Sequence, residues 1–381
     1  MENKSSNFIS SLEATSILVG TIIGAGIFGI PYVVVKAGFW TGLLVMIIIA
    51  IAMVIIKLLV SEIVLSTKDN HQLTGYAEKY LGIKGKYIMF FTIIFSFYGA
   101  LLSYIIGGGQ VLAALFNGNQ FIFSLLFFAV AALLIYLGLT IIKKFEFLMT
   151  LFILIIIIVI ILTTFKSLNF SNLTGFNWHN LFIPYGVIFF ALGGSSALPQ
   201  LRRVLINKEH LIKRSIIMGI AIPFLVYLIF TIIVIGINGF NTTEVATIGL
   251  GKALGPAMII FANLFAFFCI GTSFLTLGLA LKETYIYDIK LKHSLAWFLT
   301  CLIPLTLFLL GLNSFVKVLG WAGALGGGIE GLLILAIFLK LKSLKRTERV
   351  PEYKIPLHWP IIIFIGLIFI GGIIYTLLNF L

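Results

Sequence analysis

Residues 20–38 read GTIIGAGIFGIPYVVVKAG, and residues 189–203 read FFALGGSSALPQLRR. Each is an apolar stretch interrupted by glycines and closed by a proline: Gly20, Gly24, Gly26, Gly29 and Pro31 in the first, Gly193, Gly194 and Pro199 in the second. Glycine weakens a helix, and proline removes a backbone donor and crowds the turn before it. Both stretches are therefore expected to be helices that break partway.

The solvent around those helices follows from composition. Of 381 residues, 61% are hydrophobic and 10% charged, against about half and about a quarter in a soluble domain. No aqueous fold of this size hides so much apolar surface, so a bilayer is expected to be the solvent. The opening residues, MENKSSNFISSLE, lack a cleavable signal pattern. A helix needs about 20 apolar residues to cross about 30 Å of hydrocarbon. Runs of that kind fall at 13–38, 40–66, 86–116, 121–142, 145–165, 180–202, 211–238, 256–284, 293–312, 315–340 and 358–379, eleven spans in all. Two segments between spans, HQLTGYAEKYLG (71–82) and NTTEVATIGLGKALG (241–255), are amphipathic and read as short helices outside the spans.

The net charge of +13 would suggest nucleic acid in a soluble protein, but its placement argues otherwise. With the N-terminus cytoplasmic, inner loops and ends collect 21 of 26 basic residues, among them Lys143 and Lys144, and outer loops hold four, Lys36, Lys166, Lys252 and Lys317. That asymmetry sets orientation in a membrane. The expectation is a multi-pass protein of the cell membrane with its C-terminus outside and no nucleic-acid role.

The broken spans are the first and the sixth. They open two five-helix halves, 13–165 and 180–340, between a cytoplasmic segment, 1–12, and an extra helix, 358–379. With five spans each, the halves enter the membrane from opposite sides. Glycine/proline-interrupted segments at matching positions of inverted halves point to a transporter binding site. A broken helix exposes N–H groups that favour a carboxylate and C=O groups that favour a cation. A zwitterion suits both ends without charged side chains. The alternative for the glycines is close helix packing, which is the reading preferred for the single runs Gly107–Gly109 and Gly326–Gly328.

GTIIGAGIFGIPY and FALGGSSALPQLRR, with FCIGTSFLTLG at 268–278, resemble the amino acid/polyamine/organocation superfamily, most closely its aromatic and hydroxy amino acid permease branch. The likeness runs from about Ser11 to Leu381. It implies an all-α membrane protein of the LeuT-type fold, five plus five inverted helices, working by alternating access. It also implies roles. Gly24, Ala25 and Gly26 would meet a substrate carboxylate through backbone amides, and Gly193, Gly194 and Ser195 would help hold the ammonium. Phe190 stands where an aromatic lid is found, and Tyr98 and Tyr104 both qualify as an assisting tyrosine on the third span.

For the coupling ion, Cys269, Thr272 and Ser273 lie at i, i+3 and i+4, hence on one helix face. Sodium symporters of the LeuT type place a carbonyl and two hydroxyls so, facing first-span carbonyls that would here belong to Gly20 and Ile23. Proton-coupled relatives use a fifth-span lysine, and the fifth span here has none. The hydroxyls could equally bond back to their own helix. Na⁺ is thus preferred, with H⁺ coupling or amino acid exchange as alternatives and no other cofactor expected.

Two ionisable residues within the spans need an account. Glu330, near the middle of the tenth, would cost about 2.5–3.5 kcal/mol if charged and unpaired; it reads as a proton relay or as a structural hydrogen bond. Lys57 reads as snorkelling to the cytoplasmic interface.

Other classes fit poorly. A serine hydrolase would need a base near Ser195 or Ser196, but histidines 71, 179, 210, 293 and 358 all sit in loops or at span ends. A channel filter or ring of charge is not visible. The expectation is therefore a secondary transporter, not an enzyme, carrying an apolar or aromatic amino acid by cation-coupled symport.

Overall fold

The first glycine-interrupted span folds as α1 (Lys4–Ile22) and α2 (Ile30–Ala37). Their axes bend by 53° across the break. The structure, a computed structural model, describes residues 4–137, 155, 159, 160, 162–287, 289–344, 348–356 and 358–379. The expected fifth span, 145–165, lies largely outside the described residues, as do Lys143 and Lys144.

The chain continues through α3 (Phe39–Ser66), α4 (Leu73–Phe116) and α5 (Gln120–Leu137). The second broken span forms α6 (Tyr185–Ala191) and α7 (Leu198–Val204). Then follow α8 (Ile212–Asn238), α9 (Ala246–Leu254), α10 (Pro256–Tyr287) and α11 (His293–Leu309). A π-helical turn, Ala322–Gly327, joins α12 (Phe315–Trp321) to α13 (Gly328–Ser343), and α14 (Trp359–Leu378) completes the order. Among the described residues there is no strand.

Among the described residues, seven helices are long and apolar enough to cross a membrane, and the bent α1–α2 pair makes an eighth. The ninth expected span appears as α11, apolar but only 17 residues long. The sixth appears as two seven-residue halves. Both amphipathic segments are helical: the first is the start of α4, set off by a kink at Gly82 with φ +77°, and the second is α9.

The centre is built on α3, α4, α8 and α10. α4 packs against α10, α5 and α13, while α1 runs along α8 and α6 lies against the π-turn. Phe28, in the first break, meets Phe265 of α10 and Phe230 of α8 edge-to-face at 5.1 and 6.3 Å. The outward faces carry large apolar side chains, among them Phe91, Val130, Leu367 and Leu377. Exposed apolar surface on this scale marks a lipid-facing protein. The runs Gly107–Gly109 and Gly326–Gly328 serve packing: a Cβ on Gly108 would stand 2.7 Å from the Phe127 ring, and one on Gly327 2.4 Å from Phe189.

Segment 348–356 straps across the end of α3. Arg349 N–H and Nη1 donate to Ser66 O and Leu65 O at 3.2 and 3.1 Å, and Tyr353 Oη donates to Leu58 O at 3.2 Å. Glu348 pairs with Lys79 at 2.7 Å and accepts from Lys68 N–H at 2.9 Å.

Candidate functional site

The first break begins where α1 loses its pattern after Ile22. Gly24 is extended (φ −143°, ψ −158°), and Ala25–Phe28 form a single 3-10 turn before α2. Pro31 sits in the first turn of α2, where a missing donor costs nothing. The second break follows the same plan. α6 ends at Ala191, Gly194 takes φ +97°, Ser195–Ala197 form a 3-10 turn, and Pro199 lies in the first turn of α7. A left-handed φ of this kind is what glycine tolerates and a side chain does not.

The two breaks are pressed together. A Cβ on Gly26 would lie 2.8 Å from Ala191 Cα, and one on Gly194 3.3 Å from the Thr21 side chain. Tyr227 of α8 joins them: its hydroxyl donates to Ile22 O at 2.6 Å and stands 3.2 Å from Ala191 O. Those are the last residues of α1 and α6, whose carbonyls have no partner farther along their own helices. No motif marks Tyr227, one of 13 tyrosines, and only the fold reveals its role.

α10 approaches from the other side. Ala25 N–H donates to Ser273 Oγ at 3.3 Å, and a Cβ on Gly24 would reach that oxygen at 2.9 Å. Tyr104 is buried with its hydroxyl near Ser273. Tyr98 is turned away, its hydroxyl 2.6 Å from that of Tyr285 and 3.1 Å from Leu299 O. The structure thus separates the two tyrosines that the sequence left equivalent. Thr272 Oγ1 donates within its own helix, to Phe268 O at 2.9 Å and Cys269 O at 3.1 Å. Cys269 is buried, and Gly20, on the far side of the break, is exposed. Phe190 is half-buried and backs onto the π-turn, where a Cβ on Gly323 would stand 2.9 Å from Phe190 Cβ.

Ile23, Gly24, Gly193, Gly194, Thr272 and Ser273 are all half-buried, amid neighbours such as Ala25, Ala191 and Ile270 that are buried. Irregular backbone at membrane depth persists only against protein or a wet cavity. This cluster packs against protein and is only half-buried, and its polar groups are backbone amides, backbone carbonyls and hydroxyls. Among the described residues no three His, Cys, Asp or Glu side chains come together as a metal site. Hydroxyl and carbonyl oxygens are the hard donors available to a cation.

One expectation fails outright. Lys57 does not snorkel to an interface: it is fully buried and its ammonium donates to Leu192 O at 2.7 Å, beside the second break. A carbonyl freed by the end of α6 gives the lysine a partner that lipid headgroups would otherwise supply. Glu330, at the start of α13, lies close enough to act electrostatically on this ammonium and on Ser195.

Comparison with known proteins fits this geometry. The tryptophan/tyrosine permease family matches residues 8–378. Glutamine transporter 2 of Aliivibrio fischeri is 26% identical over 360 residues, 88% of this chain and 90% of that protein. Tyrosine-specific transport system 1 of Haemophilus influenzae is 26% identical over 366 residues, 91% of each chain. Among solved structures, MhsT in complex with L-phenylalanine superposes with a TM-score of 0.66 at 16% identity, covering 96% of this chain and 98% of that one. The overall fold is therefore of the LeuT type.

Proposed function

The chain belongs to the tryptophan/tyrosine permease family and is a multi-pass amino acid transporter, and on that premise we propose that it carries an amino acid with a neutral side chain by cation-coupled alternating access. The observation that carries this reading is the contact between the two helix breaks, Gly26 against Ala191, with half-exposed backbone on both. Broken helices bring polar backbone to membrane depth, where the carboxylate and ammonium of a zwitterion find partners of both signs. Gly24, Ala25 and Gly26 are proposed for the carboxylate. Gly193, Gly194 and Ser195 are proposed for the ammonium, with Tyr104 beside them and Phe190 as lid.

The side-chain preference is argued from apolar surroundings, Phe190 and the α10 phenylalanines, which favour an apolar or aromatic substrate. The relatives' names, glutamine for one and tyrosine for the other, share a neutral side chain. For the coupling ion we favour Na⁺ held by Ser273, Thr272 and the carbonyls of Gly20, Ile23 and Cys269. The approach of Ser273 to the first break supports it; the internal bonding of Thr272 requires that hydroxyl to turn when the ion enters. The basic residues favour an N-terminus in the cytoplasm and a C-terminus outside the cell membrane.

The test is binding of a panel of radiolabelled amino acids to purified protein, with Na⁺ and pH varied independently. Saturable binding of neutral L-amino acids that tightens with Na⁺ supports the whole reading. Binding that ignores Na⁺ but follows pH removes the sodium part, and no saturable binding of any amino acid removes the reading itself.

A further inference from the structure

A lysine buried in the middle of an apolar helix needs a reason. α3 is apolar on all sides, and in its 28 residues the charged positions are Lys57 and Glu62. Glu62 has obvious partners at one end of the helix: Lys342 Nζ lies 2.6 Å away and Ile355 N–H donates to it at 2.6 Å. Lys57, about five residues deeper and fully buried, has two of another kind. One is Leu192 O, the carbonyl of the residue that caps α6. The other is the charge of Glu330, beyond salt-bridge distance yet close enough to act on both Lys57 and Ser195.

This arrangement joins three helices at one break. Leu192 precedes Gly193 and Gly194, so the upstream end of the unwound segment is held by Lys57 of α3, while the charge of Glu330 on α13 lies near both Lys57 and, at the downstream end, Ser195. Glu330 stands three residues after the π-helical turn Ala322–Gly327, and such turns recur where a helix is adapted to function. The last carbonyls of a helix attract cations. Elsewhere that cation can be mobile, but here the chain supplies its own.

We propose that Lys57 is a tethered cation which, with Glu330 as its counter-charge, positions the unwound segment Gly193–Ser195 for substrate. Lys57 is a positioning residue: it acts through the backbone at Leu192. The inference rests on the transporter reading above, and it assigns to Lys57 and Glu330 a part that neither needs for insertion or folding alone.

A purely structural pair makes a different forecast, and this separates the two. Removing one member of a buried ion pair leaves a stranded charge, whereas replacing both by neutral groups of similar size is commonly tolerated. The double variant Lys57→Met/Glu330→Gln should therefore fold. If the pair serves only to neutralise itself, that variant transports as the wild type does. If Lys57 positions Leu192, the carbonyl stays without its donor and the KM for uptake rises by about tenfold or more, the scale expected for one charge-assisted hydrogen bond. Lys57→Arg, which keeps charge and donor, should recover most of that loss.

The experiment uses full-length protein in proteoliposomes, with the best substrate from the binding panel, and size-exclusion profiles as the check on folding. Wild-type uptake comes first, because its absence would remove the transporter reading and not this inference. Given wild-type uptake, a double variant within about twofold of the wild-type KM overturns the proposal. Should the double variant not fold, ¹⁵N-lysine NMR on the wild type decides, with the Lys57 Nζ signal assigned by its loss in Lys57→Arg. Saturating substrate should shift that signal; an unmoved signal overturns the proposal.

Discussion

The Tyr227 hydroxyl donates to Ile22 O at 2.6 Å, and from the same position it stands 3.2 Å from Ala191 O. One side chain of α8 thus meets the final carbonyls of two half-helices, α1 and α6. Tyr227→Phe removes only the oxygen and leaves both carbonyls buried without that partner. A buried polar group stripped of its partner costs about 1–3 kcal/mol. Thermal unfolding in detergent should register the loss, and substrate affinity should fall with it. Unchanged unfolding and affinity would mean that the hydroxyl contributes nothing to holding the breaks.

The glycines of the first break should differ sharply in tolerance. A Cβ on Gly26 meets Ala191 at 2.8 Å, whereas one on Gly20 meets nothing within 4 Å. Gly26→Val has to push the second break away, an overpacking cost of about 1–3 kcal/mol, and should abolish uptake while the protein still reaches the membrane. Gly20→Ala should insert normally and keep substrate binding. Equal uptake in the two variants would show that contact between the breaks is not required.

How much of this was legible beforehand differs residue by residue. The breaks themselves could be read, because glycine clusters followed by Pro31 and Pro199 leave a helix few alternatives. Lys57 was misread because its apolar flanks say how deep it sits but not what it faces, and Leu192 is 135 residues away. Tyr98 and Tyr104 could not be ranked. Six residues apart, they lie on different faces of α4, and only packing tells which one stands near Ser273 and which turns to Tyr285. Tyr227 carries no local signal at all, since a tyrosine in an apolar span serves lipid contact as readily as a hydrogen bond. The amide-to-hydroxyl contact of Ala25 with Ser273 joins residues 248 apart, yet the spacing of Cys269, Thr272 and Ser273 had already put those three on one face.

The proposed ion site has its own forecast. If Ser273 and Thr272 help hold Na⁺ against the first break, substrate affinity should rise with Na⁺, and substrate should tighten Na⁺ binding by the same factor. Thr272→Ala/Ser273→Ala should erase that dependence and spare most of the Na⁺-free binding. Equilibrium binding at graded Na⁺, for both protein forms, is the measurement. Uptake driven by a pH gradient alone and indifferent to Thr272→Ala would favour proton coupling instead.

The strap over α3 should respond to acid. The hydrogen bond from Lys79, then that from the Lys68 amide, holds the Glu348 carboxyl below the ordinary carboxylate range. A lowered folded pKa means that the contribution is present above the usual carboxylate pKa and fades as pH falls through the lowered value. Both side chains are partly exposed, 28% and 44%, so the contribution to overall stability is small. Protection of residues 348–356 against hydrogen exchange, taken relative to the intrinsic rate at each pH, should be high at neutral pH and lower in acid, and Glu348→Gln should show the lower protection already at neutral pH. Identical exchange in the variant and the parent at neutral pH would show that this ion pair does not hold the strap.

The most direct measurement is competition for uptake into proteoliposomes by three relatives of one neutral L-amino acid: its D-enantiomer, its methyl ester and the amine left by decarboxylation. Each break is proposed to hold one end of the zwitterion, so the ester and the amine, which lack the carboxylate, should compete at least about tenfold more weakly, the scale of one lost charge-assisted contact. The D-form should compete poorly as well. Competition by the decarboxylated amine as strong as that by the parent amino acid would contradict zwitterion recognition by the paired helix breaks.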